Sequence, residues 1–187
     1  PTIVTFIVTK ANIRNINVDA LQNQARLSEL EKYTHELQES IGRRIFTAAA
    51  TGRDLQRGDL IDEEVEIRLK RFANAMRTHR QPLIVTHDLA DDANDPTLKH
   101  LRHRWLLNAA DDPVKVVFHP QFVTATSPLI GLDYDAFVRG CHLGIFPSYY
   151  EPWGYTPMEC IASGVPAVTT DLSGFGSYVK EHIDRPH

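Results

Sequence analysis

The chain has 187 residues, of which 42% are hydrophobic and 24% are charged, and its net charge is −4. This composition is typical of one soluble α/β domain, and the near balance of acidic and basic residues leaves no basic stripe of the kind that nucleic acid requires. Two cysteines are too few for a disulfide framework, and no apolar run approaches the roughly 20 residues of a membrane span. We therefore predict a cytoplasmic protein without nucleic-acid or membrane partners.

Five short runs of apolar or β-branched residues predict buried strands, because each is bounded by Pro, Asp or Gly. They are residues 2–8, 83–86, 114–118, 143–147 and 167–169. Helical patterns follow or precede the later strands over residues 98–108, 134–141 and 157–163, and Gly164 ends the last of them. Strands that alternate with helices predict an α/β fold with a doubly wound parallel sheet, in one domain spanning residues 1–187.

Between the first two strands the pattern predicts two long amphipathic helices. Residues 18–50 form the first, which Gly52 ends, and residues 62–80 form the second. The apolar stripe of the first helix consists of Leu27, Leu30, Leu37, Ile41 and Ile45. We predict an inserted helical hairpin, residues 18–80, whose apolar stripe either covers the edge of its own sheet or contacts another copy of the chain.

The run SYYEPWGYTPMEC, residues 148–160, follows the fourth predicted strand. It places a loop rich in Pro, Gly, Tyr and Trp at the carboxyl end of that strand, where open α/β sheets bind ligands. Thr156 and Glu159 fit a capping box with Pro157 at the first helical position, in which Glu159 bonds to the backbone N–H of Thr156. No helix cap explains Glu151, because it lies in the loop.

Glu151 and Glu159 raise the question of a glycosidase pair, in which two carboxylates flank the scissile bond. The pattern disfavours it, since one carboxylate lies in a loop and the other lies inside the first turn of a helix. Free N–H groups and the positive helix end near residues 155–159 suit a diphosphate, and Glu151 is suited to orient neutral hydroxyls. A sugar joined to a nucleotide diphosphate offers both groups in one molecule.

Several separated stretches resemble glycogen synthase of the animal and fungal type, a retaining glycosyltransferase with two facing Rossmann-like domains (the GT-B architecture). They are FPSYYEPWGYTPMEC with RGCHLG before it and SGFGSY after it, SIGRRIF (40–46), IVTHDLADDANDP (84–96), FHPQF (118–122) and LDYDAFVRGCHLG (132–144). The resemblance covers nearly the whole chain. It implies that residues 1–187 are a Rossmann-like, donor-binding fragment from the second half of a GT-B fold.

The resemblance also implies roles for the matching residues. Glu151 would contact hydroxyls of the transferred glucose and be the catalytic residue, either as a nucleophile or as electrostatic support. Glu159 would bind the ribose. The donor sugar and diphosphate would be bound by His142, Trp153, Gly154, Tyr155 and Thr156. Phe122 and Tyr134 would stack on uracil. From the pattern alone, Phe122 and Tyr134 are better explained as core residues, and His142 as a core histidine.

The reaction implied is transfer of glucose from UDP-glucose to the non-reducing end of an α-1,4-glucan, with retention and without a cofactor or metal. The first Rossmann-like domain, and the Arg and Lys that clamp the diphosphate, would lie before Pro1. We therefore expect the chain to be part of a longer polypeptide and to be inactive alone. The alternative is a non-catalytic nucleotide- or glucan-binding module on the same fold.

The sequence also contains an acidic run and a pair of histidines, for which a metal site is the alternative to an ordinary polar surface. The acidic residues Asp88, Asp91, Asp92 and Asp95 are typical of a polar loop with helix caps rather than of a metal site, and His100 and His103 of a solvated helix face. The hairpin, residues 18–80, resembles the pair of long helices through which animal and fungal glycogen synthases associate into tetramers. We expect homo-oligomers of this chain by the same route.

Overall fold

Short parallel pairs of strands, with helices between them in the chain, form the framework of the protein. The computed structural model describes residues 2–78 and 83–183. Contacts divide the chain into two compact units, Pro1–Phe122 and Val123–His187. Each unit has its own cluster of buried apolar residues, and each contains both helix and parallel strand, which confirms the α/β composition.

The first unit contains a parallel pair of strands, β1 (Ile3–Val8) and β4 (Val114–His119). Residues 84–86 lie along the other side of β4, because the Phe118 N–H donates to the Ile84 carbonyl at 2.7 Å and the Thr86 N–H donates to the Phe118 carbonyl at 3.0 Å. The three predicted strand segments of this unit are therefore present, and the second of them is a single parallel bridge at Val85.

A further pair of strands, β2 (Ile13–Ile16) and β3 (His87–Leu89), is antiparallel and was not predicted. The two strands read IRNI and HDL, so most of their residues are polar and neither presents an apolar run. Their pairing depends on partners more than seventy residues apart in sequence, as in the hydrogen bond from Arg14 to the Ala90 carbonyl at 2.8 Å. Such pairing leaves no local signal in the chain.

The core of the first unit lies between β4, β3 and α4 (Pro96–His103), and its buried members are Leu89, Leu98, Leu101, Val116 and Phe118. Strand β1 is at the margin of this core, with Ile7 packed against it. The prediction that β1 is buried is wrong for most of its side chains, since Ile3 is 61% exposed and Val4 is 53% exposed. An apolar run indicates a buried strand only where other elements cover both faces.

Two long helices, α1 (Val18–Thr51) and α3 (Glu63–Thr78), follow β2, with the short α2 (Arg57–Leu60) between them. Asn17 caps α1 by accepting hydrogen bonds from the Asp19 and Ala20 N–H groups. Gly52 ends α1 as predicted, because it adopts a left-handed conformation with φ of 66° that glycine tolerates best. The predicted end of the second helix, at residue 80, lies outside the described residues.

The two long helices contact each other through aromatic and cationic side chains. The rings of Tyr33 on α1 and Phe72 on α3 have centroids 5.7 Å apart, and the Arg68 guanidinium lies 4.2 Å from the centroid of the Tyr33 ring. In the described part of the chain, the core cluster of the first unit contains no residue of either helix. The hairpin stripe therefore does not cover that core.

Helix α4 begins two residues earlier than predicted and ends five residues earlier, at His103. Asp95 caps it by accepting from the Leu98 N–H at 2.8 Å, and Pro96 occupies the first helical turn. The helix cannot continue to residue 108, since Trp105 and Asn108 both have positive φ. The Asn108 side chain joins two segments of the chain by hydrogen bonds to the backbone of Leu83 and Val116.

In its described residues, 123–183, the second unit contains a parallel pair of strands and three helices, with a core of Val138, Cys160 and Val165. The elements are α5 (Tyr134–Arg139), β5 (Gly144–Phe146), α6 (Tyr155–Ala162), β6 (Ala167–Thr169) and α7 (Gly174–His182). The predicted stop at Gly164 is confirmed, since this residue has φ of 80° directly after the α6 cap. Among the described residues, no helix combines the length and apolar character needed to cross a membrane.

Two buried histidines share one hydroxyl in the first unit. The Thr86 Oγ1 atom lies 2.8 Å from Nδ1 of His87 and 3.0 Å from Nδ1 of His119, and the two rings meet edge to face at 5.2 Å. Both imidazoles are almost fully buried, and Nε2 of His119 has no hydrogen-bond partner among the described residues. Burial lowers the pKa of both histidines, and the neighbouring His87 lowers that of His119 further.

We expect the free energy of unfolding to fall as the pH decreases below about 6.5, the ordinary histidine pKa. The unfolded chain binds protons at His87 and His119 near that pH, whereas the folded protein binds them only at lower pH, so stability is full above this window and is lost on acidification. Asp88 and the Gln121 side chain oppose the lowered pKa of His87, and the Phe122 backbone opposes that of His119. Urea unfolding at a series of pH values measures the effect.

A variant of His119 should separate this effect from general acid denaturation. His119→Gln removes one titrating group and should reduce the dependence of the urea midpoint on pH, whereas His100→Gln, on the exposed face of α4, should leave it unchanged. Equal pH dependence in the two variants would contradict the assignment to the buried pair.

Candidate functional site

The site is built on the loop that joins β5 to α6. Strand β5 ends at Phe146, and α6 begins at Tyr155, with Gly154 as its N-cap. Gly154 has φ of 98°, a conformation that other residues rarely adopt, and the chain reverses there into the helix. A Cβ atom on Gly154 would lie 3.5 Å from Oε2 of Glu151, so the glycine also leaves the Glu151 carboxylate close to the start of α6.

Glu151 is held at its side chain and at its backbone. Its Oε2 atom accepts a hydrogen bond from the Ser148 hydroxyl at 3.1 Å, and its carbonyl accepts from the Gly174 N–H at 3.2 Å. A parallel bridge pairs Glu151 with Ser173, which is almost fully buried. The carboxylate is half-buried, so it is fixed in the loop yet accessible to a ligand.

The two helix starts beside this loop differ in what their N–H groups bind. At α7 the Gly174 and Phe175 N–H groups donate to the carbonyls of Glu151 and Trp153, and the Gly176 N–H donates to the Ser173 hydroxyl. At α6 the Gly154 cap supplies no side-chain hydrogen bond. The start of α7 is thus occupied in holding the loop, whereas the start of α6 offers backbone N–H groups of the kind that bind anions.

The predicted capping box is wrong. The helix begins at Tyr155, one residue before Thr156, so Thr156 is its second residue and Pro157 its third. The left-handed Gly154 makes the turn into the helix, and no Thr cap is needed. Pro157 is still tolerated, since an N–H in the first helical turn has no partner within the helix. Glu159 is exposed and does not act as part of a capping box.

Tyr134 lies near Glu159, at the start of α5. It is half-buried and packs against the core cluster of Val138, Cys160 and Val165. Burial and then the charge of Glu159 raise the pKa of the Tyr134 hydroxyl. The structure therefore brings together two residues that were assigned to the uracil and ribose ends of one nucleoside.

Phe122 and His142 are both at the surface. Phe122 follows β4 in the first unit and is 75% exposed, and His142 follows α5 in the second unit and is exposed. The explanation of either residue as a buried core side chain is therefore wrong.

Trp153 anchors the loop by its side chain. Its ring meets those of Phe175 and Tyr178 on α7, with centroids 6.1 Å away in each case. Tyr155 and Thr156, the first two residues of α6, are exposed. Trp153 therefore supports the loop against α7, and the next residues along the chain are open to a ligand.

The acidic run forms the polar loop with helix caps that the sequence predicts. Asp95 caps α4, Asp91 accepts from the Asn94 side chain, and Asp92 pairs with Arg102 at 2.7 Å. Asp88 accepts from the Asn17 side chain at 3.1 Å. Among the described residues no group of three or more His, Cys, Asp or Glu is arranged to hold a metal ion.

Sequence reasoning assigned no role to several residues that hold the site, namely Ser148, Thr170, Ser173, Gly174 and Gly176. Cβ atoms on Gly174 and Gly176 would overlap the carbonyl oxygens of Pro152 and Thr170. Gly174 lets the start of α7 approach the loop backbone closely, and Gly176 lets it approach the backbone of Thr170 after β6. The stretch SGFGSY carried the available signal, since two glycines within the first turn of a helix indicate a close approach of other backbone.

The chain belongs to the glycogen synthase family, whose family model matches residues 1–187. Among curated relatives it is 47% identical to glycogen [starch] synthase isoform 2 of Saccharomyces cerevisiae, over 98% of this chain and 27% of that protein. It is 45% identical to glycogen [starch] synthase of Caenorhabditis elegans and 42% identical to the liver glycogen [starch] synthase of Homo sapiens, over 98% and 99% of this chain. The chain spans about a quarter of the length of these relatives, 27% and 26% in the last two cases.

Proposed function

We propose that the chain is the donor-binding part of a glycogen synthase that transfers glucose from UDP-glucose to the non-reducing end of an α-1,4-glucan, with retention. The observation that carries the proposal is the Glu151 loop, held at the carboxyl end of β5 beside the uncapped start of α6. Membership of the glycogen synthase family supports it. The proposed compartment is the cytoplasm, where the free thiols of Cys141 and Cys160 remain reduced.

In the proposed complex, the sugar, the diphosphate and the ribose of the donor each meet a different part of the second unit. The diphosphate lies at the start of α6, near the N–H groups of Tyr155 and Thr156, with His142 and Trp153 beside the sugar and diphosphate. Glu151 faces the glucose and stabilises charge that develops at the reacting carbon as the diphosphate leaves. Glu159 binds the ribose.

The proposed architecture is one Rossmann-like domain spanning residues 1–187, the second half of a GT-B fold, with a doubly wound sheet and residues 18–80 inserted. The parallel pairs β1–β4 and β5–β6 support it. The facing domain and its cations come from the rest of the polypeptide, and closure of the two domains over the donor assembles the catalytic site. The chain alone is therefore expected to bind donor without turning it over.

A uridine-diphosphate titration together with a turnover assay tests the proposal. The full-length protein should incorporate glucose from UDP-glucose into glycogen, whereas the isolated chain should not. Binding of uridine diphosphate by a full-length protein that transfers no glucose would instead identify a non-catalytic nucleotide-binding module.

Alanine at both Phe122 and Tyr134 should raise the donor KM of the full-length protein. Each ring would contribute on the order of 1 kcal/mol by stacking on uracil, so the double variant should lose roughly tenfold to 30-fold in donor affinity. Steady-state kinetics with UDP-glucose measures this loss. Trp105→Ala, which removes another exposed ring of the first unit, is the control and should leave the donor KM unchanged. An unchanged KM in the double variant would contradict uracil stacking.

The hairpin should mediate self-association into dimers or tetramers. Helix α1 has 34 residues and is about 50 Å long, and its stripe remains partly open, with Leu27 44% exposed. Because the core of the first unit includes no described residue of α1, pairing with a second copy is the proposed way to bury Leu27, Leu30, Leu37 and Ile41. Light scattering measures the molecular mass of the chain in solution and so gives its oligomeric state.

Variants of α1 test the surface that is used. Glu at both Leu30 and Leu37 should split the oligomer without unfolding the chain, whereas Lys32→Glu, on an exposed face of the same helix, should leave the mass unchanged. A monomer mass for the unmodified protein at tens of micromolar, well above ordinary oligomer dissociation constants, would contradict self-association.

A further inference from the structure

The Glu151 carboxylate has one partner among the side chains that the structure describes. The Ser148 hydroxyl donates to Oε2 at 3.1 Å. Both side chains are half-buried, so water competes for this hydrogen bond less than at an open surface. A carboxylate on a mobile loop would sample several rotamers, and a hydroxyl that is itself fixed selects among them.

Ser148 is fixed by both strands of the second unit. Its N–H donates to the Phe146 carbonyl, the last residue of β5, at 2.9 Å. Its own carbonyl accepts from the Thr170 hydroxyl, directly after β6, at 2.6 Å. The Ser148 backbone, from which the hydroxyl extends, is therefore held at the carboxyl ends of two parallel strands.

The rest of the loop is held independently of this contact. The carbonyls of Glu151 and Trp153 accept hydrogen bonds from the start of α7, and the Trp153 ring packs on the same helix. The loop backbone thus keeps its course when the Ser148 hydroxyl is removed, and what changes is the orientation of the Glu151 carboxylate.

We propose that Ser148 is a positioning residue that orients the Glu151 carboxylate toward the reacting sugar, with Thr170 acting through Ser148. The inference rests on the proposed glucosyl transfer, for which Glu151 is the catalytic residue. A carboxylate that is misplaced by a fraction of its length loses much of its effect on the transition state, whereas donor binding at α6 is unaffected. Ser148 therefore governs kcat and not the donor KM.

The test measures kcat and donor KM of the full-length protein for paired variants. Ser148→Ala should lower kcat roughly tenfold or more while the donor KM stays within about twofold of the parent. Ser148→Thr keeps the hydroxyl and should recover most of kcat. Thr170→Val, which removes the hydroxyl that holds Ser148, should give a smaller loss of kcat, and Thr170→Ser should restore it.

The matched control is Ser163→Ala at the C-terminal end of α6. No hydrogen bond of its hydroxyl is found among the described residues, so kcat and KM should both remain at the parental values. Thermal unfolding of every variant shows whether a loss of kcat follows a loss of folded protein. If Ser148→Ala is less stable than the parent, recovery of kcat in Ser148→Thr still shows that the hydroxyl is the group that matters.

Three results with the Ser148 variants would overturn the inference while leaving the proposed function intact. Parental kcat in Ser148→Ala, together with a large loss in Glu151→Gln, would overturn the positioning role alone. Equal losses in Ser148→Ala and Ser148→Thr, or a loss that appears in KM instead of kcat, would assign Ser148 a structural role or a binding role. A full-length parent without glucosyl transfer would overturn the proposed function and this inference with it.

Discussion

Replacing Glu151 with glutamine in the full-length protein is expected to lower kcat for glucosyl transfer by roughly 10²-fold or more, with donor binding kept. Glutamine has nearly the same shape and retains an oxygen that can accept from the Ser148 hydroxyl, so its side chain should keep the orientation of the carboxylate. What is lost is the negative charge, which acts on the transition state more than on the bound donor. Steady-state kinetics with UDP-glucose and glycogen measures both effects.

Two further glutamates provide the comparison for this result. Glu159→Gln should raise the donor KM more than it lowers kcat, since its proposed partners are ribose hydroxyls that are bound before the reaction. Glu181→Gln, on the exposed surface of α7, should change neither parameter. Near-normal turnover in the Glu151 variant would remove that residue from the reacting centre.

Replacing Gly176 with alanine should destabilise the protein by roughly 3 kcal/mol, an effect of the size seen when a side chain is forced into filled space. The added Cβ would overlap the Thr170 carbonyl oxygen and would also meet the Ser173 hydroxyl at 2.9 Å. Relief requires the start of α7 to move away from Thr170, and this movement disturbs the hydrogen bonds that Gly174 and Phe175 donate to the carbonyls of Glu151 and Trp153. Thermal unfolding should show a decrease in Tm of several degrees.

Gly42 provides a control in which the same chemical change has the opposite sign. It lies inside α1 with no atom within 4 Å of an added Cβ, so Gly42→Ala should stabilise the protein by about 0.5–1 kcal/mol. An unchanged Tm for Gly176→Ala would mean that the start of α7 can shift without loss, and that its glycines are dispensable for holding the loop.

The sequence predicted helix ends where residues close in sequence determine them. Gly52 and Gly164 end helices as predicted, because a left-handed residue is needed there. Asp95 lies in the run that was predicted to supply helix caps, but the helix it caps begins at Pro96, two residues before the predicted start. The prediction of the capping box was also wrong because of a residue close in sequence. Gly154, two residues before Thr156, turns the chain into the helix two residues early, and a pattern centred on Thr156 does not include it.

The parts that were not predicted depend on residues far apart in sequence. The antiparallel pairing of β2 with β3, the Thr170 hydroxyl on the Ser148 carbonyl, and the α7 start against the Glu151 loop all join distant segments. Exposure is equally non-local, since an apolar strand such as β1 is buried only where another element covers it. The Glu151 loop could be proposed from the sequence because its candidate residues lie in one stretch, whereas the residues that support the loop lie in several.

The close approach of α7 to the Glu151 loop makes the proposed site discontinuous in sequence. A search or a protein-engineering graft that carries residues 148–159 alone would transfer both glutamates without the backbone donors of Gly174 and Phe175 or the Thr170 hydroxyl. The smallest transplantable unit therefore consists of two segments, residues 148–159 and 169–178, held at a fixed separation by a parallel pair of strands.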